Sequence, residues 1–271
     1  MTEPVPSGTY NATADLVDRH VNEGRGNRRA FVDHKSTLTY GDLQAQCNRF
    51  ANALGKLGVT RESRIVLIMH DTVDLPVAFL GAIKAGVVPI PLNTLLPPET
   101  WRYMIEDSAA AAVVVSEEIY DSAAHFFEEI AQRRTLHIIV TDVSSDQKVI
   151  GLHALLNTCS PQAAAADTHA DDTAFWLYSS GSTGAPKGTR HVHASLMMTA
   201  RLFGHGVLGL NADDVIFSAA KLYFAYGLGN GLSFPLSVGA TAVLMPDRPT
   251  PDSVAAVLRK HHLRRHRRKA A

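Results

Sequence analysis

The sequence has few cysteines, no long apolar run and no apolar leader, and each absence excludes a class of protein. Two cysteines in 271 residues, Cys47 and Cys159, cannot build a disulfide framework and do not form a metal-binding pattern. No stretch approaches the run of about 18 apolar residues that a membrane span needs, since the best candidate, 75–92, contains Lys84, glycines and prolines. The first residues are polar and lack a secretory apolar region. A soluble protein of the reducing cytoplasm is therefore expected.

The composition is that of a globular protein, but charge is distributed unevenly along the chain. Hydrophobic residues make up 46% and charged residues 19%, and the length suits one large or two ordinary domains. The formal net charge is zero, yet residues 259–271 hold seven basic and no acidic residues, which leaves −7 on residues 1–258. A basic tail can bind nucleic acid or an anionic membrane. We expect the simpler outcome, a solvated, disordered tail at 263–271 with neither partner.

Hydrophobic periodicity predicts an α/β fold. Apolar residues at alternating steps of three and four predict a helix over Thr39–Leu57, with Thr39 and Asp42 as a capping box and Gly58 at its end. The first half then alternates strands (64–69, 87–90, 111–115, 136–141) with helices (74–84, 99–107, 120–133). After a loop-rich joint at 143–171, strands are predicted at 173–178, 215–219 and 241–245, and helices at 192–208, from 227 and at 252–260. This alternation is typical of a mostly parallel sheet covered by helices.

The most informative stretch is Ser179-Ser180-Gly181-Ser182-Thr183-Gly184-Ala185-Pro186-Lys187-Gly188, which follows a predicted strand. Glycines let the backbone approach a ligand, and free N–H groups in such a turn form an anion-binding concavity. Hydroxyl groups add donors. An ammonium group about 4 Å from a phosphate oxygen contributes on the order of 4 kcal/mol at an effective dielectric near 20, before desolvation. These residues predict a loop that holds nucleotide phosphates.

A stretch of this composition could also be a flexible linker or the P-loop of another nucleotide-binding family. A flexible Gly/Ser linker would not be expected to carry Pro-Lys-Gly directly after an aromatic strand. The P-loop of kinases and ATPases needs Gly-Lys-Ser/Thr, whereas Pro186 precedes Lys187 here and Gly188 follows it. The P-loop reading therefore fails on spacing.

Residues 179–188 resemble throughout the phosphate-loop signature of the adenylate-forming, or AMP-binding, acyl-CoA synthetase family. Residues 38–43 (LTYGDL) and 85–93 (AGVVPIPLN) are also similar to structural elements of that family, and the resemblance covers about 13–258. The resemblance implies that residues 12–262 form the amino-terminal part of the family's large α/β domain, divided into lobes at about 12–165 and 172–262. It also implies attack of a carboxylate on Mg-ATP to give an acyl-adenylate, followed by transfer to coenzyme A. The implied phosphate-binding residues are Ser179, Ser180, Gly181, Ser182, Thr183, Gly184 and Lys187, with Thr183 and Lys187 as the main polar contacts.

A second stretch, 221–231, places three aromatic residues beside three glycines. On its own, it could be a core segment with a glycine-rich helix start. Residues 224–232 are similar to benzoate-CoA ligases in particular, which implies that Phe224, Ala225, Tyr226 and Gly227 line a flat slot for an aromatic ring. The expected substrate is therefore benzoate or a close analogue, and a small pocket would reject long aliphatic chains.

No metal site on the protein is predicted. His191 and His193 are separated by one residue, but further zinc ligands are not signalled, so we expect these histidines to pack at a helix start or face solvent. Mg²⁺ is expected only with ATP, held largely by phosphates and water.

The resemblance stops near Arg259. It implies that the later adenine-binding element, the ribose-binding aspartate, the hinge and the carboxyl-terminal domain with its catalytic lysine are absent, as expected if an open reading frame were interrupted. A truncated ligase with little turnover alone is the primary expectation, because the charge that develops in adenylation needs preorganised donors. The alternatives are an inactive remnant that only binds nucleotide or carboxylate, a medium-chain acyl-CoA synthetase and a peptide-synthetase adenylation domain. A separate polypeptide that supplies the missing lobe is also left open.

Overall fold

The fold is given by a computed structural model that describes residues 8–133, 135–143, 149–179 and 184–261. Its strands are β1 (Arg29–Val32), β2 (Thr37–Thr39), β3 (Arg64–Ile68), β4 (Val88–Pro91), β5 (Ala112–Val115), β6 (His137–Val140), β7 (Ile150–Gly151), β8 (Thr173–Ser179), β9 (Lys187–Val192), β10 (Val215–Phe217) and β11 (Thr241–Val243). Its helices are α1 (Arg19–Asn22), α2 (Tyr40–Lys56), α3 (Asp74–Lys84), α4 (Pro98–Asp107), α5 (Glu117–Ser122), α6 (Ala124–Arg133), α7 (Leu152–Asn157), α8 (His193–Thr199), α9 (Ala225–Leu228), α10 (Phe234–Val238) and α11 (Pro251–Lys260). Three π-helical segments add Ala14–Asp18, Ala200–His205 and Gly229–Ser233.

A five-stranded parallel sheet forms the centre of the first half, in the order β4-β3-β5-β6-β7. Its strands are mainly apolar because helices cover both faces. Side chains alternate between the faces, so Ile65 and Leu67 join the core beneath α2 and α3, whereas Val66 and Ile68 join the core beneath α4 and α6. The predicted parallel α/β architecture is confirmed.

A second sheet joins the two ends of the chain, in the order β10-β11-β1-β2. Phe31 of β1 pairs in parallel with Ala242 of β11, and β2 lies antiparallel to β1. The predicted lobes at 12–165 and 172–262 therefore share this sheet, and their boundaries remain a prediction.

Helix α2 shows how local signals define an element. Thr39 and Asp42 form the reciprocal capping box, and Gly58 has the left-handed φ of +74° just after the helix ends. Gly81 of α3 lets the two helices approach closely, since a Cβ there would lie 2.8 Å from Cβ of Phe50. Cys47 is fully buried between them.

Several sequence expectations were wrong in detail. The helix expected at 120–133 is two helices that meet at Ala123, whose φ of −138° breaks the helical path. Residues 187–192 form a strand, and the helix expected at 192–208 runs over 193–205, ending in a π-helical segment. The joint at 143–171 contains β7 and α7, because Leu152 and Leu156 are buried. Strands β1 and β2 were not predicted.

Among the described residues, none of the helices combines the length and apolar character that crossing a bilayer requires. The basic tail at 263–271 lies outside the described residues.

Candidate functional site

The predicted phosphate loop connects the two strands of an antiparallel hairpin. Ser179 at the end of β8 pairs with Lys187 at the start of β9, which brings the first and last predicted phosphate contacts opposite each other. Ser180, Gly181, Ser182 and Thr183, at the centre of the signature, lie outside the described residues. Gly184 has φ +91°, a conformation that favours glycine. The side chain of Lys187 is exposed, and its ammonium group has no hydrogen-bond or ion-pair partner within the described part of the chain, so this group is available to an anion.

The hairpin is anchored to helices α3 and α4 by aromatic side chains. Phe175 stacks on His191 at a centroid distance of 4.7 Å and meets Phe79 of α3 edge to face at 5.4 Å. The hydroxyl of Tyr178 donates to the Asp107 carboxylate at 2.5 Å, and burial is the main reason that the pKa of this tyrosine is raised. The two strands that flank the loop are thus packed against the rest of the fold.

His191 and His193 both pack, as expected. His193 begins α8, is buried, and its Nδ1 accepts a hydrogen bond from the backbone N–H of Ala12 at 3.1 Å. Burial lowers the pKa of His193 to about 4, so the ring is neutral near pH 7. Across the described ranges, no group of three or more His, Cys, Asp or Glu side chains could hold a metal ion.

The predicted ring-slot residues lie at the start of α9. Gly227 is buried, and a Cβ at this position would lie 2.0 Å from the carbonyl oxygen of Lys221. Phe224, Ala225 and Tyr226 are exposed, and the ring of Phe224 meets that of Tyr223 edge to face at 4.7 Å. The four residues are consecutive in the chain, and the acid pocket that they are expected to line remains a prediction.

Two charged residues next to this segment were not predicted as site residues. The Asp71 carboxylate is 4% exposed and accepts from the backbone N–H of Leu222 at 3.2 Å. Burial raises the pKa of Asp71 to about 7. The sequence offered little indication of a role for Asp71, because it is a single acidic residue shortly after a predicted buried strand.

The ammonium group of Lys221 is held by the loop that follows β11. It donates to the carbonyl oxygens of Pro246 at 3.0 Å and Asp247 at 2.8 Å, and also to that of Met245. Burial is the main cause that lowers the pKa of this lysine. Asp71 and Lys221 therefore connect the ends of β3 and β11 to the segment that carries the predicted ring slot.

A cleft of about 600 Å³ runs along the carboxyl ends of the parallel strands of both sheets. Ligands of open α/β sheets bind at this edge, because the connecting loops diverge there. Its lining includes residues that lie within about four positions after the end of a strand: His70, Thr94, Ser116 and Thr141 from the first sheet, and Asp33 and Asp247 from the second. Lys221 and Tyr223 also line it, which makes the cleft continuous with the start of the predicted ring-slot segment.

Comparison with known proteins supports the resemblance seen in the motifs. The chain is 48% identical to a benzoate–CoA ligase of Thauera aromatica over 253 residues, and 46% identical over 257 residues to a 4-hydroxybenzoate–CoA/benzoate–CoA ligase of Rhodopseudomonas palustris. These matches cover 93% and 95% of this chain but 47% of each relative, so the chain spans about half the length of these relatives.

Solved structures of CoA ligases also resemble this chain in sequence and fold. A benzoate CoA ligase from Burkholderia xenovorans LB400 is 47% identical, with a TM-score of 0.84 over 93% of this chain and 48% of that protein. An anthranilate CoA ligase solved with anthranoyl-AMP is 31% identical, with a TM-score of 0.85 over 93% of this chain and 48% of that protein. The model of the AMP-binding enzyme family matches residues 17–264. On this evidence of sequence, fold and motif, the chain belongs to the AMP-binding enzyme family.

Proposed function

We propose that this chain carries the phosphate-binding and acid-binding part of an aromatic-acid–CoA ligase. In the proposed reaction, the carboxylate of an aromatic acid attacks the α-phosphate of ATP, which forms an acyl-adenylate and releases pyrophosphate. The thiol of coenzyme A then displaces AMP from the acyl-adenylate. The observation that carries the proposal is the complete 179–188 signature between paired strands, in a chain 48% identical to a benzoate–CoA ligase over 93% of its length.

The β8–β9 hairpin would hold the β- and γ-phosphates of ATP. Ser179, Ser180, Gly181, Ser182, Thr183 and Gly184 would supply hydroxyl and backbone N–H donors, and Lys187 would supply the positive charge. Support comes from the exposed position of Lys187 opposite Ser179. Mg²⁺ would be held largely by phosphate oxygens and water, since this ion usually keeps several waters and binds through substrate phosphates.

Phe224, Ala225, Tyr226 and Gly227 would form one wall of the slot for the aromatic ring. Exposed aromatic side chains offer a large, rigid contact area for another ring. Gly227 keeps this wall close to the backbone of Lys221. Benzoate or a close analogue is preferred over medium-chain fatty acids and amino acids because both relatives reported above are named for benzoate.

Turnover and binding are tested separately on the purified full chain. Carboxylate-dependent ATP–pyrophosphate exchange is measured with benzoate, octanoate and phenylalanine, beside calorimetric titration with Mg-ATP and with benzoate. Binding of Mg-ATP together with preferential binding or exchange with benzoate supports the proposal. Equal responses to benzoate and octanoate contradict the aromatic assignment, and a folded chain that binds neither Mg-ATP nor benzoate overturns the proposal.

A further inference from the structure

An acidic residue ends helix α4, at a position where the helix does not favour one. Asp107 is the last residue of α4, Glu106 precedes it, and no basic residue lies in the last turn. The free carbonyl groups at the end of a helix carry partial negative charge, so a carboxylate there is disfavoured. The Asp107 side chain is exposed, and the contact that compensates its charge lies outside the helix, on strand β8.

That contact is the hydroxyl group of Tyr178, near the end of β8. It donates to the Asp107 carboxylate at 2.5 Å, and the carbonyl oxygen of Met104 lies 3.3 Å from the same hydroxyl. A hydrogen bond to an ionised acceptor is stronger than one between neutral groups. Because burial raises the pKa of Tyr178, its hydroxyl keeps the proton that it donates at neutral pH.

Tyr178 lies at the base of the β8–β9 hairpin, on the face opposite to the proposed phosphate contacts. It pairs with Gly188, and the next pair towards the loop is Ser179 with Lys187. Successive side chains of a strand point to opposite faces. The ring of Tyr178 therefore points to α4, whereas the side chains of Ser179 and Lys187 point away from it. The backbone that carries the Lys187 ammonium group is thus held from its other face by Tyr178.

Strand β9 lies directly on two aromatic rings at this point. A Cβ at Gly188 would lie 3.0 Å from Cε3 of Trp176 and 3.4 Å from Cζ of Tyr178. Both rings pack against the core beneath α4 and α6. Because Gly188 places no side chain between the strand and the rings, a shift of the Tyr178 ring would displace β9 next to Lys187.

We propose that Asp107 and Tyr178 are positioning residues for the proposed phosphate site. Their hydrogen bond fixes the base of the hairpin on α4 and thereby directs the ammonium group of Lys187 towards the phosphates. Neither Asp107 nor Tyr178 contacts the nucleotide in this arrangement. The inference rests on the proposed function, because Lys187 is a phosphate contact only if the chain binds ATP.

Two measurements on the purified full chain test the proposal. Calorimetric titration with Mg-ATP compares the parent with Tyr178→Phe, Asp107→Ala and Asp107→Asn, the last of which keeps an acceptor oxygen. Hydrogen exchange of the β9 backbone amides, read by mass spectrometry without nucleotide, reports whether the base of the hairpin is fixed. The matched control is Tyr10→Phe, which removes another tyrosine hydroxyl that donates to a carboxylate, that of Asp15 at 2.9 Å. Circular dichroism melting checks that every variant is folded.

We expect Tyr178→Phe and Asp107→Ala each to raise the Kd for Mg-ATP by about fivefold and to speed amide exchange in β9. Asp107→Asn should restore most of the affinity, and Tyr10→Phe should stay within about twofold of the parent. Combining Tyr178→Phe with Asp107→Ala should cost no more than either change alone, since both remove the same hydrogen bond. In a Lys187→Met background, Tyr178→Phe should have no further effect on the Kd, a result that a general loss of stability would not produce.

Two results from a parent chain that binds Mg-ATP would overturn the proposal. The first is a Tyr178→Phe variant that binds Mg-ATP as tightly as the parent. The second is equal weakening by Tyr178→Phe in the parent and in the Lys187→Met background. Failure of the proposed function is distinct, because the folded parent would then bind no Mg-ATP. The positioning role would fall with it, and faster exchange in β9 of Tyr178→Phe would assign the hydrogen bond to the fold alone.

Discussion

The buried carboxylate of Asp71 accepts a hydrogen bond from the backbone N–H of Leu222 at 3.2 Å, which connects the end of β3 to the segment that carries the predicted ring slot. The neighbouring Lys221 is fixed through its ammonium group by three carbonyl oxygens of the loop after β11. The position of Phe224 and Tyr226 thus depends on contacts with both sheets.

The pH dependence of stability should reveal the buried Asp71. Burial raises the pKa of Asp71 from an ordinary value of 3.8 to about 7. The folded state therefore keeps the proton on this carboxyl group at pH values where the unfolded chain has released it. The resulting stabilisation is complete below about pH 3.8 and is lost as the pH rises through about 7. Relative to Asp71→Asn, the parent should lose about 2 kcal/mol of unfolding free energy between pH 5 and pH 8. Urea denaturation of both proteins at the two pH values measures this difference, and parallel pH profiles would contradict the assignment.

A histidine between two carboxylates in the lining of the cleft should show a similar loss of stability with rising pH, but over a higher pH range. His153 contacts Asp74 and Asp142 at 3.0 Å each, and the hydrogen bond with Asp74 is the main cause that raises the pKa of His153 to about 9. The resulting stabilisation is complete below about pH 6.5 and is lost as the pH rises through about 9. Because the side chain is 48% exposed, His153→Gln should cost only about 0.5–1 kcal/mol at pH 6 and nothing at pH 10.

The control for this experiment is His125→Gln, which removes another exposed histidine. Thermal or urea unfolding at both pH values should show no comparable change with pH for the control. An equal cost of His153→Gln at pH 6 and pH 10 would mean that the ring stabilises the fold by packing rather than by charge.

The glycine in the predicted ring-slot segment should not tolerate a side chain. A Cβ at Gly227 would lie 2.0 Å from the carbonyl oxygen of Lys221 and 2.6 Å from that of Ala220, so Gly227→Ala must displace backbone atoms. We expect a loss of about 2 kcal/mol or more in unfolding free energy, together with weaker benzoate binding.

Gly55 is the matched control because it lies in α2 and a Cβ there would meet nothing within 4 Å. Gly55→Ala should raise stability by about 0.5–1 kcal/mol, since alanine is the better helix former. If both variants behave alike in denaturant titrations and in benzoate binding, close packing at Gly227 does not shape the segment.

Local signals in the sequence were sufficient for the long elements. The apolar stripe and capping box of α2 and the buried run of β3 predicted these elements to within one residue. The break at Ala123 was missed because neither glycine nor proline marks it.

The second sheet could not be predicted because its pairing is non-local. Strand β1 has three buried residues and pairs with β11 some 210 residues later, a contact that no local pattern records. Strand β9 was missed because its side chains from Lys187 to Arg190 are exposed, so it shows no apolar periodicity.

The candidate site was only partly predictable for a similar reason. The phosphate signature is contiguous in sequence and could be recognised directly. By contrast, Asp71 and Leu222 meet only because two sheets converge, and the exposure of Phe224 and Tyr226 is defined only by the folded chain.

The most direct test of the central claim is calorimetric titration of the folded chain with Mg-ATP, comparing the parent, Lys187→Met and Lys260→Met. Lys260 is an exposed lysine at the end of α11, so its variant controls for the loss of one positive charge. Because one ammonium–phosphate contact contributes a few kcal/mol before desolvation, Lys187→Met should raise the Kd by at least about tenfold, while Lys260→Met leaves it unchanged. An unchanged Mg-ATP affinity in folded Lys187→Met would contradict the account.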